Sequence, residues 1–497
     1  MLREMSANHL PLNIQHSTSN IVSSRDHRIA EWLFLFTFGV CAYFFAGGGW
    51  NQNSQFDLTR AMVERHTFVI DAYAGNTGDV SAANGHVYSN KSPALSWVAA
   101  IPYAALNSFE RSRGADPGDA TLLTINAWIC SLLCVAMPAA LIPPMIFTYA
   151  RRRAIASGWA AIVALSSVLA TQLLPYATLF MLHAPSAALL LYALTTPHRA
   201  RAGFATALAT AMNYLCLPAM VAFAFIERRS ILRYCAGTVA PLAALAAYQY
   251  ACFGSIFTIS VIHEDPRFLT HGAPMGVFVR PTLNVLYGIT LSPYRGFFFF
   301  APVLLVALLG FRAWWRAERV QCAVSLIVIA VFFAFNASFN GWDGGWGIGG
   351  RYLVPIIPLF GMALLYVRWR AVAVFAATIS FALNFAAAAV DPQPATSFAR
   401  PVTHYLVPLL INGHFEPTPA IPPWFAATFT GHTSVNRTTL DEAMVFQRHA
   451  PGTTASEWAS FNLGEVFTEP GDARSLIPVV LFLLGGGIAI ARMATRS

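Results

Sequence analysis

Apolar stretches long enough to cross a lipid bilayer recur along this chain, and that recurrence restricts the fold more than any other feature. Ile29 to Gly49, Thr121 to Tyr149 and Ala371 to Val390 are three of them; a helix of about 20 apolar residues spans the ~30 Å hydrocarbon layer. Inside lipid every backbone polar group must be satisfied within the chain, and no β-barrel alternation is visible, so the spans are expected to be helices. Composition agrees. The 497 residues are 56% hydrophobic and 11% charged, against about 25% charged in a soluble domain. A soluble globular protein is excluded, and the class is an all-α polytopic membrane protein.

Basic residues mark cytoplasmic loops, so their positions orient the spans. Arg25 and Arg28 precede the first span and place the N-terminus inside. The first apolar region is too long for a signal peptide and lacks a small-x-small cleavage site, so it is expected to stay as a span. A polar region from Trp50 to Ala120 follows, interrupted by the apolar piece Pro93 to Phe109. Were that piece a span, Arg151, Arg152 and Arg153 would lie outside; it is therefore expected to be an amphipathic or interfacial helix. Further spans are read at Ile155 to Leu173, Met181 to Leu194, Leu232 to Phe253, Gly296 to Phe311, Val320 to Phe339, Tyr352 to Val367 and Ile477 to Arg492. A short hairpin between Gly203 and Ile226, turning near Asn213 and Tyr214, keeps Arg228 and Arg229 inside. The result is about 12 spans with both ends inside. The expected organisation is a cytoplasmic tail over 1–28, a transmembrane core over 29–390 with external loop 1 at 50–120, an external loop or small subdomain over 391–474, and a last span and tail over 475–497. The seven cysteines fall in or beside apolar segments and read as small buried hydrophobes.

Loop 1 holds the densest polar sequence. Lys91 is the only lysine in a chain otherwise supplied with arginine. A compact charge on a flexible stem suits a phosphate site, and Ser92-Pro93 after it reads as a helix start that also favours an anion; an interfacial lysine is the bland alternative. Asp57 is expected at the N-terminus of a short surface helix from Asp57 to Arg65, either as an N-cap or as a reactive carboxylate. Ser292-Pro293-Tyr294-Arg295-Gly296 puts an arginine at the outer end of a span. Asn340 to Tyr352 is a glycine-tryptophan loop containing Trp342, Asp343, Trp346 and Arg351; its tryptophans suit sugar rings or an interfacial aromatic belt equally. His263-Glu264-Asp265 looks like a metal cluster, but adjacent side chains rarely converge on one ion. His183 is either a substrate partner or a structural histidine. No metal and no cofactor is expected.

The loop-1 strings carry a resemblance. Asp57-Leu58-Thr59-Arg60-Ala61-Met62-Val63-Glu64 resembles the Asp-Glu-x-Arg-Tyr-Ala-Glu stretch of the bacterial aminoarabinose transferases and of protein mannosyltransferase relatives. Lys91-Ser92-Pro93-Ala94-Leu95 resembles their Lys-Pro-Pro-Leu. These are C-type (GT-C) glycosyltransferases, polytopic enzymes that use polyprenyl-phosphate sugars on the outer face of the membrane. The resemblance implies an inverting transfer of sugar from a polyprenyl-phosphate donor to an envelope glycan, lipid or protein in a bacterial inner membrane. It implies Asp57 as the general base, with Lys91, Arg60, Arg295 and Arg351 on the phosphate. Asp79, His183, Trp342, Asp343 and Trp346 would line the substrate. The sequence departs from the pattern at Leu58, where the family carries a second acid, and at His183, near where relatives carry another carboxylate. A transporter or lipid flippase is the rival class; it predicts internal repeats and charge at mid-membrane, neither of which is visible.

Overall fold

Apolar segments outside water satisfy their backbones as helix, and the computed structural model is predominantly helical over the residues it describes, 23–226, 230–413, 460–469 and 471–495. Most of the N-terminal tail, Arg228 and Arg229, and residues 414–459 of the expected external subdomain lie outside the described residues. Helix α1 is Ser24–Tyr43, α2 Trp50–Glu64, α3 Ala94–Ser112, α4 Thr121–Arg151, α5 His183–Thr195, α6 Arg199–Met212, α7 Leu217–Ile226, α8 Ile231–Phe253, α9 Arg319–Ser338, α10 Arg370–Val390 and α11 Ile477–Thr495. Five helices among the described residues are long and apolar enough to cross a membrane: α4, α8, α9, α10 and Ala473–Thr495, which contains α11. The chain is a multi-span membrane protein.

Several local expectations meet specific geometry. Of the piece Pro93 to Phe109, Pro93 caps α3 and the rest is helical within it, packed inward through Leu95, Ala99 and Tyr103 while Ile101 and Phe109 face outward. The turn near Asn213 is real: the Tyr234 hydroxyl donates to Met220 O at 2.7 Å and meets Thr206 Oγ1 at 2.7 Å. In one straight helix those two positions would be ~21 Å apart, so α6 and α7 fold back on each other. The stretch Gly296 to Phe311 differs from the single helix expected. It breaks at Ala301, where Pro302 starts a new helix and cannot donate. Two side chains of α10 take up the freed groups: Asn384 Nδ2 donates to Phe300 O (2.7 Å) and Ser380 Oγ accepts from Val303 N (3.0 Å). Cys235 also departs from expectation, being exposed while the other six cysteines are buried.

Helices α6 and α8 approach so closely that glycine is required on both. A Cβ at Gly203 would lie 2.0 Å from Tyr234 O, and one at Gly237 would lie 1.9 Å from Ala200 O. Small residues allow such backbone contact between spanning helices. Gly237→Val is expected to lower the melting temperature in a detergent thermal-shift assay, because overpacking costs about 1–3 kcal/mol.

Segments read as internal and segments read as external gather at opposite ends of α1, a helix ~30 Å long. At its start, Asp26 accepts from Arg151 Nε at 2.8 Å, and Arg25 donates to Met493 O. Arg153 Nε pairs with Glu318 at 2.8 Å, and Glu318 also accepts from Trp314 Nε1. All these residues come from segments read as internal. The segments read as external meet at the other end, where Tyr43 donates to Ser475 O and the strand Phe44–Phe45 pairs antiparallel with Phe461–Asn462.

Candidate active site

After Tyr43 the chain passes through Gly47-Gly48-Gly49, with Gly48 at φ +83°, and re-enters helix at Trp50. Polar α2 is buried rather than lying on a surface, and its side chains bind the loop around it. Asn53 Nδ2 donates to Asn76 O (2.8 Å), Ser54 Oγ to Asp79 O (2.6 Å), and Ser96 Oγ to Gln55 O (2.7 Å). Strands β1 (Val80–Ala83) and β2 (His86–Ser89) form a two-residue hairpin whose turn, Asn84-Gly85, has both φ values positive, the conformation such turns favour in this residue pair. The hairpin's open end sets Asp79 beside Asn90 and Lys91. Lys91 Nζ is 2.9 Å from Asp79 Oδ2.

Two other segments close over this platform. Ser81 Oγ donates to Ser260 O (2.7 Å), and Ser260 Oγ donates to Asn90 O (2.8 Å). That docking brings Glu264 to Asn90, whose Nδ2 donates to its carboxylate. Burial pushes the Glu264 carboxyl above the usual carboxylate range, against the pull of Lys91. The adjacent His263 turns away to stack on Phe253 at 5.0 Å, so the three residues do not converge. Among the described residues, no group of three or more His, Cys, Asp or Glu side chains is arranged to hold a metal ion.

The glycine-tryptophan loop forms the opposite wall. Arg295 is fully buried beneath it, donating to the carbonyls of Gly345 (2.9 Å), Asp343 (3.2 Å) and Tyr294 (3.2 Å). Asp343 Oδ2 accepts from the Tyr294 hydroxyl at 3.0 Å, and its Oδ1 accepts from Gly345 N. Gly344, at φ +74°, leaves room for the Arg351 stem: a Cβ there would be 2.9 Å from Arg351 Cγ. Arg351 Nη2 reaches the Tyr352 hydroxyl at 3.4 Å, while its buried Nε has no hydrogen-bond partner among the described residues.

Between the walls lies a cavity of about 560 Å³. Of the residues singled out from sequence, Lys91, Asp79, Asp343, Trp346 and Arg351 line it. Five do not. Asp57 is in the middle of α2, not at its N-terminus; it is buried, and its Oδ1 accepts from Asn76 Nδ2 at 3.3 Å. Arg60 pairs with Glu64 at 3.0 Å and lies over Tyr73. Arg295 is spent on carbonyls. Trp342 packs against Gly288 and Tyr294. His183 is buried edge-on to Tyr176 and Tyr352. The cavity also contains residues that sequence reasoning passed over: Glu264, weighed only as a metal ligand, and Asn51 and Gln393, hidden in polar stretches with no distinguishing local pattern.

Fold and cavity together define a helical multi-span membrane protein with a charged, tryptophan-bearing cavity at one end of its bundle. No family model and no curated protein matches the chain. Among solved structures it is similar to ArnT from Cupriavidus metallidurans bound to undecaprenyl phosphate, with 15% identity and a TM-score of 0.45 over 94% of this chain and 74% of that one. The apo state of the same protein matches at 14% identity and a TM-score of 0.45, over 94% and 76%. The likeness is remote, at a TM-score of 0.45 in both states.

Proposed function

We propose that the chain is an inverting glycosyltransferase of a bacterial inner membrane, moving a sugar from a polyprenyl-phosphate donor to an envelope glycan, lipid or protein at the external face. One observation carries this reading: a single cavity faces two cationic side chains, Lys91 and Arg351, and the half-buried carboxylate Glu264. The cations bind the phosphate and neutralise the charge that grows on it as it leaves. Glu264 takes the role first expected of Asp57. Its raised pKa moves it toward the operating pH, which favours a general base. Asp79 is held by Lys91, and Asp343 by Tyr294 and Gly345. The acceptor oxygen attacks the anomeric carbon, the bond from that carbon to the phosphate oxygen breaks, and the acceptor proton passes to Glu264. The polyprenyl chain lies among the apolar helices, within the core over 29–390.

The test uses the full chain in proteoliposomes with a labelled lipid-linked sugar. Release of polyprenyl phosphate that requires an acceptor is expected; solute flux without release would instead support a transporter.

A further inference from the structure

The cavity is not uniform. Lys91, Asp79 and Glu264 are neighbours through the contacts already given, whereas a second group is neutral. Gln52 and Gln393 pair amide to amide, with Gln52 Nε2 donating to Gln393 Oε1 and Gln393 Nε2 standing 3.5 Å from Gln52 Oε1. Both side chains are buried, and Gln393 lines the cavity. The pair is positioned from three directions. Gly49 leaves the space, since a Cβ there would meet Gln52 Oε1 at 2.5 Å and Gln393 Oε1 at 2.9 Å. Gln393 N donates to Asp391 Oδ1 at 2.7 Å, and Asp391 Oδ2 accepts from the Tyr405 hydroxyl at 2.9 Å. The tryptophan loop is tied to the same segment through Gly347 N and Pro394 O at 3.3 Å, which puts the Trp346 loop next to it. Asn51 also lines the cavity; its Oδ1 accepts from Gln55 Nε2 at 2.6 Å, so its NH2 is what it offers a ligand.

We infer that Gln393, braced by Gln52 and flanked by Asn51 and Trp346, is a specificity-determining residue that reads the hydroxyls of an uncharged donor sugar while the cations hold its phosphate. The inference rests on the glycosyl-transfer reading. Gln393 presents a donor and an acceptor and Asn51 a donor, matching hydroxyls that do both, and an aromatic face covers the apolar side of a sugar ring. The Gln393 N–H that Gln52 does not take is left unpaired by an analogue that lacks the matching hydroxyl, so discrimination against deoxy sugars is strong. The segment after α10, read from sequence only as the start of an external loop or small subdomain, thereby becomes part of the site.

The experiment measures kcat/KM of the full chain in nanodiscs for a polyprenyl-phosphate hexose and its monodeoxy analogues, alongside binding of sugar-free polyprenyl phosphate. Wild type is expected to reject at least one analogue by about 100-fold or more. In Gln393→Met that ratio falls at least tenfold, with sugar-free binding within twofold of wild type. Gly49→Ala, which displaces the amide pair without touching its chemistry, lowers the ratio in the same direction. Unchanged discrimination in both variants, or an equal loss of sugar-free binding, overturns the inference and leaves the transfer reading standing. A wild-type chain that releases no polyprenyl phosphate from any lipid-linked sugar overturns both.

Discussion

Glu264→Gln should reduce transfer by about 100- to 10,000-fold, the range a positioned general base contributes, with donor binding retained. Glutamine keeps the shape and can still accept from Asn90 Nδ2, but it cannot take the acceptor proton. The wild-type pH profile is expected to show an acidic limb on which activity rises with pH. The carboxyl must lose its proton to act, and its pKa is raised by burial, so the limb falls above the ordinary carboxylate range. Glu264→Gln should remove that limb from the residual rate. Asp57→Asn supplies the contrast. That carboxylate is buried in α2 against Asn76, so its replacement is expected to lower the melting temperature while the folded fraction keeps its kcat. Stopped-assay kcat measured across pH, normalised to folded protein, checks both. Full activity in Glu264→Gln together with loss in Asp57→Asn would return the base to Asp57.

Much of the fold was legible because lipid imposes a simple rule. Apolar length marks the helices, and arginine marks the ends: Arg151 and Arg153 forced the reading of Pro93 to Phe109 as non-spanning, and they now pair with Asp26 and Glu318 at one end of the bundle. Lys91 was legible for a different reason, its singularity. What failed was the interior of loop 1. Asn51 to Gln55 look like a solvated run, yet they are buried because their amides and hydroxyls satisfy one another and the surrounding backbone, which no periodicity signals. That error shifted the start of α2 and with it the position of Asp57 in the helix. The cavity itself is built from Lys91, Glu264, Asp343 and Gln393, contributed by four segments far apart in the chain. Local pattern cannot see a convergence made by tertiary packing. Arg295 shows the opposite error: an arginine at a span end resembles an anion ligand, but each of its three nitrogens already donates to a carbonyl.

Arg351 is the arginine that lines the cavity, and Arg351→Ala is expected to weaken binding of polyprenyl phosphate by about 10- to 150-fold. A hydrogen bond to a charged group contributes roughly 1.5–3 kcal/mol, and each 1.4 kcal/mol is about tenfold in affinity. The side chain enters the cavity over Gly344, which has no Cβ to block it, and its buried Nε is unpartnered among the described residues. A buried donor without a partner carries a desolvation penalty that an arriving phosphate oxygen relieves. Arg351→Lys should recover only part of the loss, because an ammonium cannot present the planar fork that grips two phosphate oxygens. Gly344→Ala, with Arg351 intact, should also weaken binding by crowding the stem at a backbone angle that disfavours a side chain. Titration of nanodisc-embedded protein with a short-chain polyprenyl phosphate measures all three, with circular dichroism and melting temperature to confirm folding. Unaltered affinity in folded Arg351→Ala would remove Arg351 from the phosphate site and leave Lys91 as the cavity's anion ligand.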